Sequence, residues 1–385
     1  MKIAIDCSKA VNEAAGIARY TENLTENLIK SYSYDQFFLY FNFMRGEEEK
    51  KEKIKSLIGQ SKNVSYKIYH IPGWIKERVF SLPVSFTRSW VKNSDLVHAT
   101  EFLSFDNGLK IPQILTIHDL TMIKFPKHRG SESIRHGKML KKAAQNADYI
   151  IAVSVATKKD IVKLLHINEE KIKVIYNGKD NVFKPHKITE KEKKYLTEKY
   201  KFALPYILFL GTIEPRKNIA NLLLAFDKFA HKNNKYYLIL AGKKGWNTKE
   251  IEKVYKGMEY KNRVRFLDYV EQKDLPLIYN ASDLFCYPSL YEGFGLPVLE
   301  AMACGTPVLT ANISSLPEVG GSAAGYVDPK NTDEIYQAIT KILLNKNLLR
   351  KMKTEGIRQA KKFSWAKCAK ETHQVYEEII SHAKR

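Results

Sequence analysis

The most informative part of the sequence is Asp283-Leu-Phe-Cys-Tyr-Pro-Ser289, followed shortly by Glu292-Gly-Phe-Gly-Leu-Pro-Val-Leu-Glu300. The first part is mainly apolar, which predicts a short strand buried within a parallel sheet. In the second part, Pro297 favours the first turn of a helix, where the missing N–H of proline would have no partner anyway. This order of strand, glycine turn and helix puts Glu292 on the loop at the carboxyl end of the strand and Glu300 early in the helix.

The two glutamates can therefore face one crevice. Between them lie the N–H groups of residues 293–296, which have no partner within a helix that starts here. Two acceptors that flank a row of donors suit a ligand with many hydroxyl groups. The obvious candidate is a sugar nucleotide.

Apolar runs of this kind alternate with helical patterns through almost the whole chain, which predicts two α/β units. We predict strands over residues 2–6, 36–43, 64–70, 95–99, 111–117, 148–153, 172–175, 206–211, 236–241, 263–266, 283–287 and 306–310, and helices over 216–232, 272–281 and 296–304. A polar, lysine-rich stretch over 179–199 reads as a linker between a domain of residues 1–178 and a domain of residues 200–363. The fold class is thus α/β, with two Rossmann-like, doubly wound domains that face each other across a cleft. Ligands of such sheets bind beyond the carboxyl ends of the strands.

The composition narrows the class of protein. The chain has 385 residues, with 44% hydrophobic and 27% charged residues, which fits a globular protein of two domains. The four cysteines have no metal-binding spacing and favour reduced thiols in a cytoplasmic protein. A formal net charge of +21 indicates either solvated lysine-rich helix faces or attraction to an anion, namely nucleic acid, an anionic membrane surface or a diphosphate substrate.

A second candidate site is Gly211-Thr-Ile-Glu-Pro-Arg-Lys-Asn218, directly after a predicted strand. Pro215 suits a helix start, so that Arg216 and Lys217 would fall in a first turn, where cations oppose the helix dipole. That placement is explained if an anion binds between the two cations and the helix N–H groups. The alternative is an exposed basic pair without a ligand.

Two weaker signals lie in the first half. His118 follows the predicted strand 111–117 and is either a functional side chain at the strand's carboxyl end or a structural histidine. Gly16 follows the first strand and would allow close approach of a phosphate, although the spacing is not that of a dinucleotide-binding loop. The chain has no Asp-x-Asp pair and no cysteine–histidine cluster, so we expect no metal and no other cofactor. Protein cations and helix ends would then stabilise a leaving diphosphate.

Five segments resemble motifs of the family-four retaining glycosyltransferases of the GT-B fold and occur in the order expected for that family, and the likeness covers essentially the whole chain. The Glu292-x7-Glu300 arrangement matches that family's glutamate motif. The other four are Gly16-Ile-Ala-Arg-Tyr20, Ile117-His-Asp-Leu120, Val174-Ile-Tyr-Asn-Gly178 and Gly211-Thr-Ile-Glu-Pro-Arg-Lys-Asn218. Within Gly211–Asn218, the sequence Glu-Pro-Arg-Lys-Asn resembles most the mannosyl- and rhamnosyltransferases of cell-envelope polysaccharide synthesis.

The resemblance implies a role for each matched residue. Glu300 would hold the ribose hydroxyls of the donor, and His118 would lie beside the transferred sugar, near its C6 hydroxyl. A helix over about 364–385 would pack back on the first domain. Two further groups of residues complete the implied donor site: the hydroxyls of the sugar would be held by Glu292, Gly293, Phe294, Gly295 and Leu296, and the diphosphate by Arg216 and Lys217 with backbone at Gly16.

We therefore expect a metal-independent, front-face transfer of a hexose to a glycan or lipid-linked acceptor, with GDP-mannose as the favoured donor and UDP-glucose or dTDP-rhamnose as alternatives. Residues 71–92 interleave bulky apolar side chains with cations. They would either contact an anionic membrane, at the inner face of the plasma membrane, or form an ordinary helix with its aromatic side chains packed inward. A sugar-nucleotide epimerase and a basic nucleic-acid-binding protein are the alternatives from other classes. No nucleic-acid partner is expected, because no binding motif is recognisable, and the sequence does not define an oligomeric state.

Overall fold

The computed structural model describes residues 1–12, 16–72, 91, 93–101, 111–126 and 131–383. Most of the predicted membrane-contacting segment 71–92 lies outside these ranges, as do the residues directly before Gly16.

The chain forms two compact units. The first comprises Met1–Gly178 together with the chain from Ser364 onward, and the second is Lys179–Phe363. Residues 179–199, expected to be a linker, therefore belong to the second unit. Lys199 joins the end of this segment to the second unit, because its Nζ lies 2.7 Å from the carboxylate of the buried Asp274.

The first unit contains a parallel sheet, and its described strands have the spatial order β3-β2-β1-β4-β5-β6-β7. The order reverses between β1 and β4, which is the arrangement of a doubly wound fold. These strands are β1 (Lys2–Asp6), β2 (Gln36–Asn42), β3 (Val64–Tyr69), β4 (Leu96–Ala99), β5 (Gln113–Ile117), β6 (Tyr149–Ala152) and β7 (Ile172–Val174).

The helices of the first unit cover the sheet with apolar faces. In the helix Gly16–Ser31, Tyr20, Leu24 and Leu28 recur at helical spacing and are buried. The described helices are α1 (Ser8–Asn12), α2 (Gly16–Ser31), α3 (Glu47–Ile58), α4 (Thr121–Lys124), α5 (Ser131–Asn146) and α6 (Val155–Asp160).

The second unit repeats the architecture, and its strands have the order β10-β9-β8-β11-β12-β13, all parallel. The reversal lies between β8 and β11, and the ends of these two strands lead into the two predicted site segments. The strands are β8 (Tyr206–Leu210), β9 (Tyr237–Ala241), β10 (Val264–Leu267), β11 (Leu284–Tyr287), β12 (Val308–Ala311) and β13 (Gly325–Val327).

Eight further helices complete the second unit within the described ranges. They are α7 (Glu190–Tyr200), α8 (Ile219–Lys232), α9 (Lys249–Gly257), α10 (Leu275–Ala281), α11 (Leu296–Ala303), α12 (Leu316–Gly320), α13 (Thr332–Leu344) and α14 (Lys346–Ala360).

The last helix returns to the first unit. This helix, α15 (Trp365–Ala383), carries the buried Tyr376, whose hydroxyl lies 2.6 Å from Nδ1 of the buried His98 on β4. At the point of return, a Cβ on Gly178 would lie only 2.1 Å from the backbone nitrogen of Trp365. The outgoing and returning chain segments therefore touch backbone to backbone, and only glycine fits at position 178.

One predicted helix differs from the structure, and some elements of the second unit were not predicted. The helix predicted over 216–232 begins at Ile219, because Asn218 adopts a left-handed conformation with φ of 60° and separates it from a 3-10 turn over Pro215–Lys217. Strand β13 and helix α9 were not predicted. Strand β13 has only three residues, which is too short to give a recognisable pattern. In the described α9 only Ile251 is buried.

Candidate functional site

The loops after β8 and β9 form the floor of the candidate site by close backbone packing. Gly242 has a φ of 145°, and a Cβ there would lie 2.0 Å from the carbonyl oxygen of Gly211. The N–H of Ile213 donates to the Lys243 carbonyl at 2.9 Å, which holds the two loops together. The segment that carries Arg216 and Lys217 therefore starts from a rigid base.

Asn218 fixes the far end of this segment. Its side-chain amide donates to the carbonyls of Pro288 at 3.0 Å and Pro329 at 2.6 Å. The backbone N–H of Leu290 donates to the Arg216 carbonyl at 2.8 Å. The segments after β8 and β11 are thus joined at the switch point of the sheet, and this junction brings the two predicted site segments together.

Lys217 and Glu292 form the centre of the site. Lys217 Nζ lies 2.5 Å from Glu292 Oε1 and 2.6 Å from the Tyr287 hydroxyl, and all three residues are buried. The Ser289 hydroxyl donates to the same Glu292 oxygen at 2.6 Å. Lys217 is therefore not the exposed cation of the alternative interpretation.

Arg216 is held between two carboxylates. Its Nη2 and Nε lie 2.7 and 3.1 Å from Glu214 Oε1, and its Nη1 lies 3.2 Å from Glu292 Oε2. Nη1 also donates to the Tyr291 carbonyl at 2.6 Å. These contacts fix the plane of the guanidinium before any ligand arrives.

The charges of this cluster shift the pKa of both central groups. Burial alone would raise the pKa of Glu292, but Lys217, Arg216 and the hydrogen bonds from Lys217 and Ser289 outweigh it and lower that pKa to about 2. Burial and the neighbouring Arg216 lower the pKa of Lys217, although Glu292 opposes them. Glu292 is thus an ionised carboxylate paired with two cations at neutral pH.

Glu300 has a different environment. It is buried on α11, and the hydroxyl of the fully buried Tyr279 donates to its Oε2 at 3.0 Å. Within the turn before α11, Gly295 has a φ of 108°, a left-handed conformation that favours glycine. The Ser315 hydroxyl lies 2.8 Å from the Phe294 carbonyl and holds this turn in place. Gly293, Phe294, Gly295 and Leu296 thus form the ordered turn between the two glutamates.

His118 and Gly16 lie in the first unit. His118 follows β5, is half-buried, and its Nε2 lies 2.8 Å from the Thr100 carbonyl oxygen. Burial lowers its pKa, although the Thr100 carbonyl and Asp119 oppose that shift, so that the ring is neutral at pH 7. Since a carbonyl only accepts, Nε2 carries the hydrogen and Nδ1 is the acceptor. Gly16 is exposed and is the first residue of α2.

Several residues that hold the predicted ones in place were not singled out from the sequence. Glu214, Tyr287 and Ser289 stand inside the quoted segments, and their polar side chains beside a cation pair were the available signal. Tyr279 lies outside both segments and contacts Glu300 through tertiary packing alone, so no sequence signal pointed to it.

Two observations concern metals and membranes. Among the described residues, no group of three or more histidine, cysteine or acidic side chains is arranged to hold a metal ion. No helix within the described ranges combines the length and apolarity needed to cross a bilayer.

Comparison with known families assigns both halves of the chain. Residues 14–181 match the model described as Glycosyltransferase Family 4, and residues 187–359 match the model described as Glycosyl transferases group 1. The chain is 34% identical over 266 residues to O-antigen chain mannosyltransferase B of Escherichia coli, a match that covers 68% of this chain and 69% of that relative. It is 31% identical over 263 residues to the serotype-specific mannosyltransferase WbdA of Escherichia coli, which covers 66% of this chain but only 32% of that longer protein.

The fold is also similar to solved structures. Sucrose-phosphate synthase from Thermosynechococcus elongatus superposes with a TM-score of 0.76 at 19% identity, over 99% of this chain and all of that one. This likeness shows the GT-B architecture, as the resemblance predicted, with two Rossmann-like parallel-sheet domains. Together with the family matches and the identity to the first mannosyltransferase, it shows that this chain is an enzyme that belongs to the family-four glycosyltransferases of the GT-B fold.

Proposed function

We propose that this glycosyltransferase moves a hexose, with mannose favoured, from a nucleotide-diphosphate sugar to a glycan or lipid-linked acceptor, without a metal and with retention of the anomeric configuration. The observation that carries the proposal is the buried cluster of Arg216 and Lys217 with Glu292 at the carboxyl ends of β8 and β11.

In this proposal the donor binds along the second unit. Glu300 accepts hydrogen bonds from the ribose hydroxyls, and Tyr279 holds one of its carboxylate oxygens at 3.0 Å. Glu292 and the N–H groups of Phe294, Gly295 and Leu296 bind hydroxyls of the sugar. Leu296 suits this task because it is the first residue of α11, and the first N–H groups of a helix have no partner within the helix.

Arg216 and Lys217 bind the diphosphate, assisted by backbone at Gly16. When the bond between the anomeric carbon and the phosphate oxygen breaks, the departing diphosphate gains negative charge. Cations that are already ordered stabilise this charge without reorganisation. The Glu214 and Glu292 contacts keep Arg216 ordered.

The state of Glu292 supports front-face departure over double displacement. A carboxylate that is paired with two cations, with a pKa of about 2, is a weak nucleophile. In the proposed step, the acceptor oxygen bonds to the anomeric carbon on the face that the diphosphate leaves, and the acceptor proton passes to the departing phosphate oxygen. The neutral His118 ring can accept a hydrogen bond from the C6 hydroxyl through Nδ1.

The donor assignment rests on the relatives. Two of the proteins similar to this chain are named mannosyltransferases, which favours GDP-mannose, with UDP-glucose and dTDP-rhamnose as the alternatives. The first relative's name suggests an O-antigen chain as the acceptor. We propose that the enzyme meets such an acceptor in the cytoplasm, at the inner face of the plasma membrane, where it is in peripheral contact with anionic lipid.

A donor panel tests the proposal. The purified chain is incubated with each of the three nucleotide sugars, a chelator and a lipid-linked oligosaccharide, and release of the nucleoside diphosphate is measured. We expect acceptor-dependent release from GDP-mannose at least about tenfold faster than from the others, which corresponds to about 1.4 kcal/mol of discrimination. Faster release from UDP-glucose or dTDP-rhamnose would contradict the donor, and complete loss of activity in the chelator would contradict metal independence.

A further inference from the structure

A second charged surface lies in the second unit, away from the donor cluster. Residues 341–353, Lys-Ile-Leu-Leu-Asn-Lys-Asn-Leu-Leu-Arg-Lys-Met-Lys, contain five cations and no carboxylate. They form the end of α13, the turn after it and the start of α14. We call this segment the cationic tip.

The cations of the tip are exposed. No ion pair joins any of them to a carboxylate among the residues that the structure describes; they are Lys341, Lys346, Arg350, Lys351 and Lys353. Lys341 lies in the last turn of α13, where a cation stabilises the helix dipole. Lys346 is the first residue of α14, where a cation opposes it. Helix stability therefore does not explain the charge of the tip.

The tip also exposes apolar surface. Leu344 is 62% exposed at the last position of α13, between the cations Lys341 and Lys346. Beside it opens a cavity of about 280 Å³ between α13 and α14. Its charged lining residues are Lys341, Lys351 and Glu355, and its aliphatic lining includes Leu309, Ala338, Ile342, Leu348 and Met352.

The topology separates this cavity from the donor cluster. Its lining includes Ser322 to Tyr326, the segment that enters β13. It therefore lies toward the amino ends of the strands, whereas Glu292 follows the carboxyl end of β11. In a parallel sheet, the amino ends and the carboxyl ends of the strands lie on opposite sides, so the cavity and the donor cluster are separated by the length of the strands.

We propose that the cationic tip is a binding surface for an anionic lipid leaflet. The cations contact the headgroup phosphates, Leu344 enters the boundary between headgroups and acyl chains, and the cavity takes an aliphatic group of the lipid. Exposed cations next to an exposed aliphatic side chain match such a surface in both charge and polarity. Nucleic acid fits less well, because residues 341–353 contain no aromatic side chain on which a base could stack.

This inference names a surface for the contact with anionic lipid that is part of the proposed function, and it rests on that part. It does not depend on glycosyl transfer, because vesicle binding is measured without donor or acceptor. It concerns the second unit, so it is also separate from any contact that residues 71–92 would make.

Vesicle sedimentation tests the proposal with the full chain. We expect the protein to bind vesicles that contain phosphatidylglycerol, and to bind pure phosphatidylcholine much less. The triple variant Lys341→Gln/Lys346→Gln/Lys351→Gln should weaken binding about 100-fold at low salt, since each lysine near an anionic surface contributes about fivefold. High salt should reduce this difference.

Helix α9 offers a matched control. Its Lys249, Lys253 and Lys256 are exposed in the same unit, and their triple change to glutamine alters the net charge equally. We expect this control to weaken binding less than about threefold, since screening confines the attraction to cations near the surface. The single change Leu344→Asn should also weaken vesicle binding, and it does so without altering the charge.

Three results would overturn the proposal. The first is that the unmodified protein does not bind anionic vesicles. The second is that the tip and α9 variants lose binding equally, which would indicate net charge alone. The third is that the tip variant keeps vesicle binding but loses binding to single-stranded DNA. If the tip variant does not fold, unchanged binding of Leu344→Asn would overturn the proposal instead.

Discussion

Replacing Lys217 by methionine tests the cluster at the switch point of the second sheet. The change keeps most of the aliphatic stem and removes an ammonium that lies 2.5 Å from Glu292 and 2.6 Å from the Tyr287 hydroxyl. If Lys217 donates to the departing diphosphate, the variant loses one charge-assisted hydrogen bond in the transition state. Such a bond contributes about 1.5–3 kcal/mol, which corresponds to a fall in rate of about 10- to 150-fold.

The loss should appear mainly in kcat, because the charge on the diphosphate develops as the bond breaks. Folding should suffer less. Glu292 keeps Arg216 at 3.2 Å and the Ser289 hydroxyl at 2.6 Å, so the carboxylate is not left unpaired. We expect the free energy of unfolding to fall by about 2 kcal/mol, below the 3–5 kcal/mol of a fully broken buried pair.

The assay is steady-state release of the nucleoside diphosphate under saturating donor and acceptor, with denaturant unfolding of the same preparation. Lys249→Met, an exposed lysine of the same unit, is the control and should leave both quantities unchanged. Lys217→Arg should recover part of the rate, because it restores the charge. Turnover of Lys217→Met within a few-fold of the unmodified enzyme would refute the assignment of Lys217 to the leaving group.

Three further predictions follow from single contacts. Tyr279→Phe removes the hydrogen bond that orients Glu300, so it should raise KM about tenfold for a ribonucleotide sugar but much less for its 2′-deoxy analogue; an equal effect on both donors would contradict a role in ribose binding. Tyr376→Phe leaves a nitrogen of the buried His98 without its partner and should lower the free energy of unfolding in denaturant by about 1–3 kcal/mol; an unchanged midpoint would argue against this contact. The pKa of Glu292 is about 2 in the folded chain against 4.5 ordinarily, so its stabilisation is complete above pH 4.5 and is lost as the pH falls toward 2. Glu292→Gln should flatten the acid limb of the stability profile by an amount on the order of 3 kcal/mol, and superimposable acid limbs would show that the lowered pKa is not real.

Much of the fold could be predicted, because strands of a parallel sheet are buried on both faces and read as continuous apolar runs. The run at Tyr149–Ala152 is one such strand, and its position was predicted within one residue at each end. The three residues of Gly325–Val327 give no comparable pattern. The start of α8 was misplaced because the left-handed conformation of Asn218 depends on the carbonyls of Pro288 and Pro329, which are distant in sequence.

The candidate site could be predicted only in part. The family resemblance implied that the loops after β8 and β11 supply one donor site, and the carboxyl ends of parallel strands do lie on the same side of a sheet. The direct pairing of Lys217 with Glu292 depends on the strand order, which places β8 beside β11. Glu214 lies two residues before Arg216, so its carboxylate was an available signal beside the cation pair. Tyr279 as the partner of Glu300 does not follow from spacing, because that contact arises from tertiary packing.

The anomeric configuration of the product shows whether the transfer retains the configuration of the donor. The chain is incubated with GDP-mannose, a chelator and a lipid-linked acceptor, and the one-bond carbon–hydrogen coupling at the new anomeric centre is measured by NMR. The account predicts an α-mannoside, the configuration of the donor. A β-mannoside would contradict the front-face mechanism, and the absence of any transferred mannose would contradict the donor.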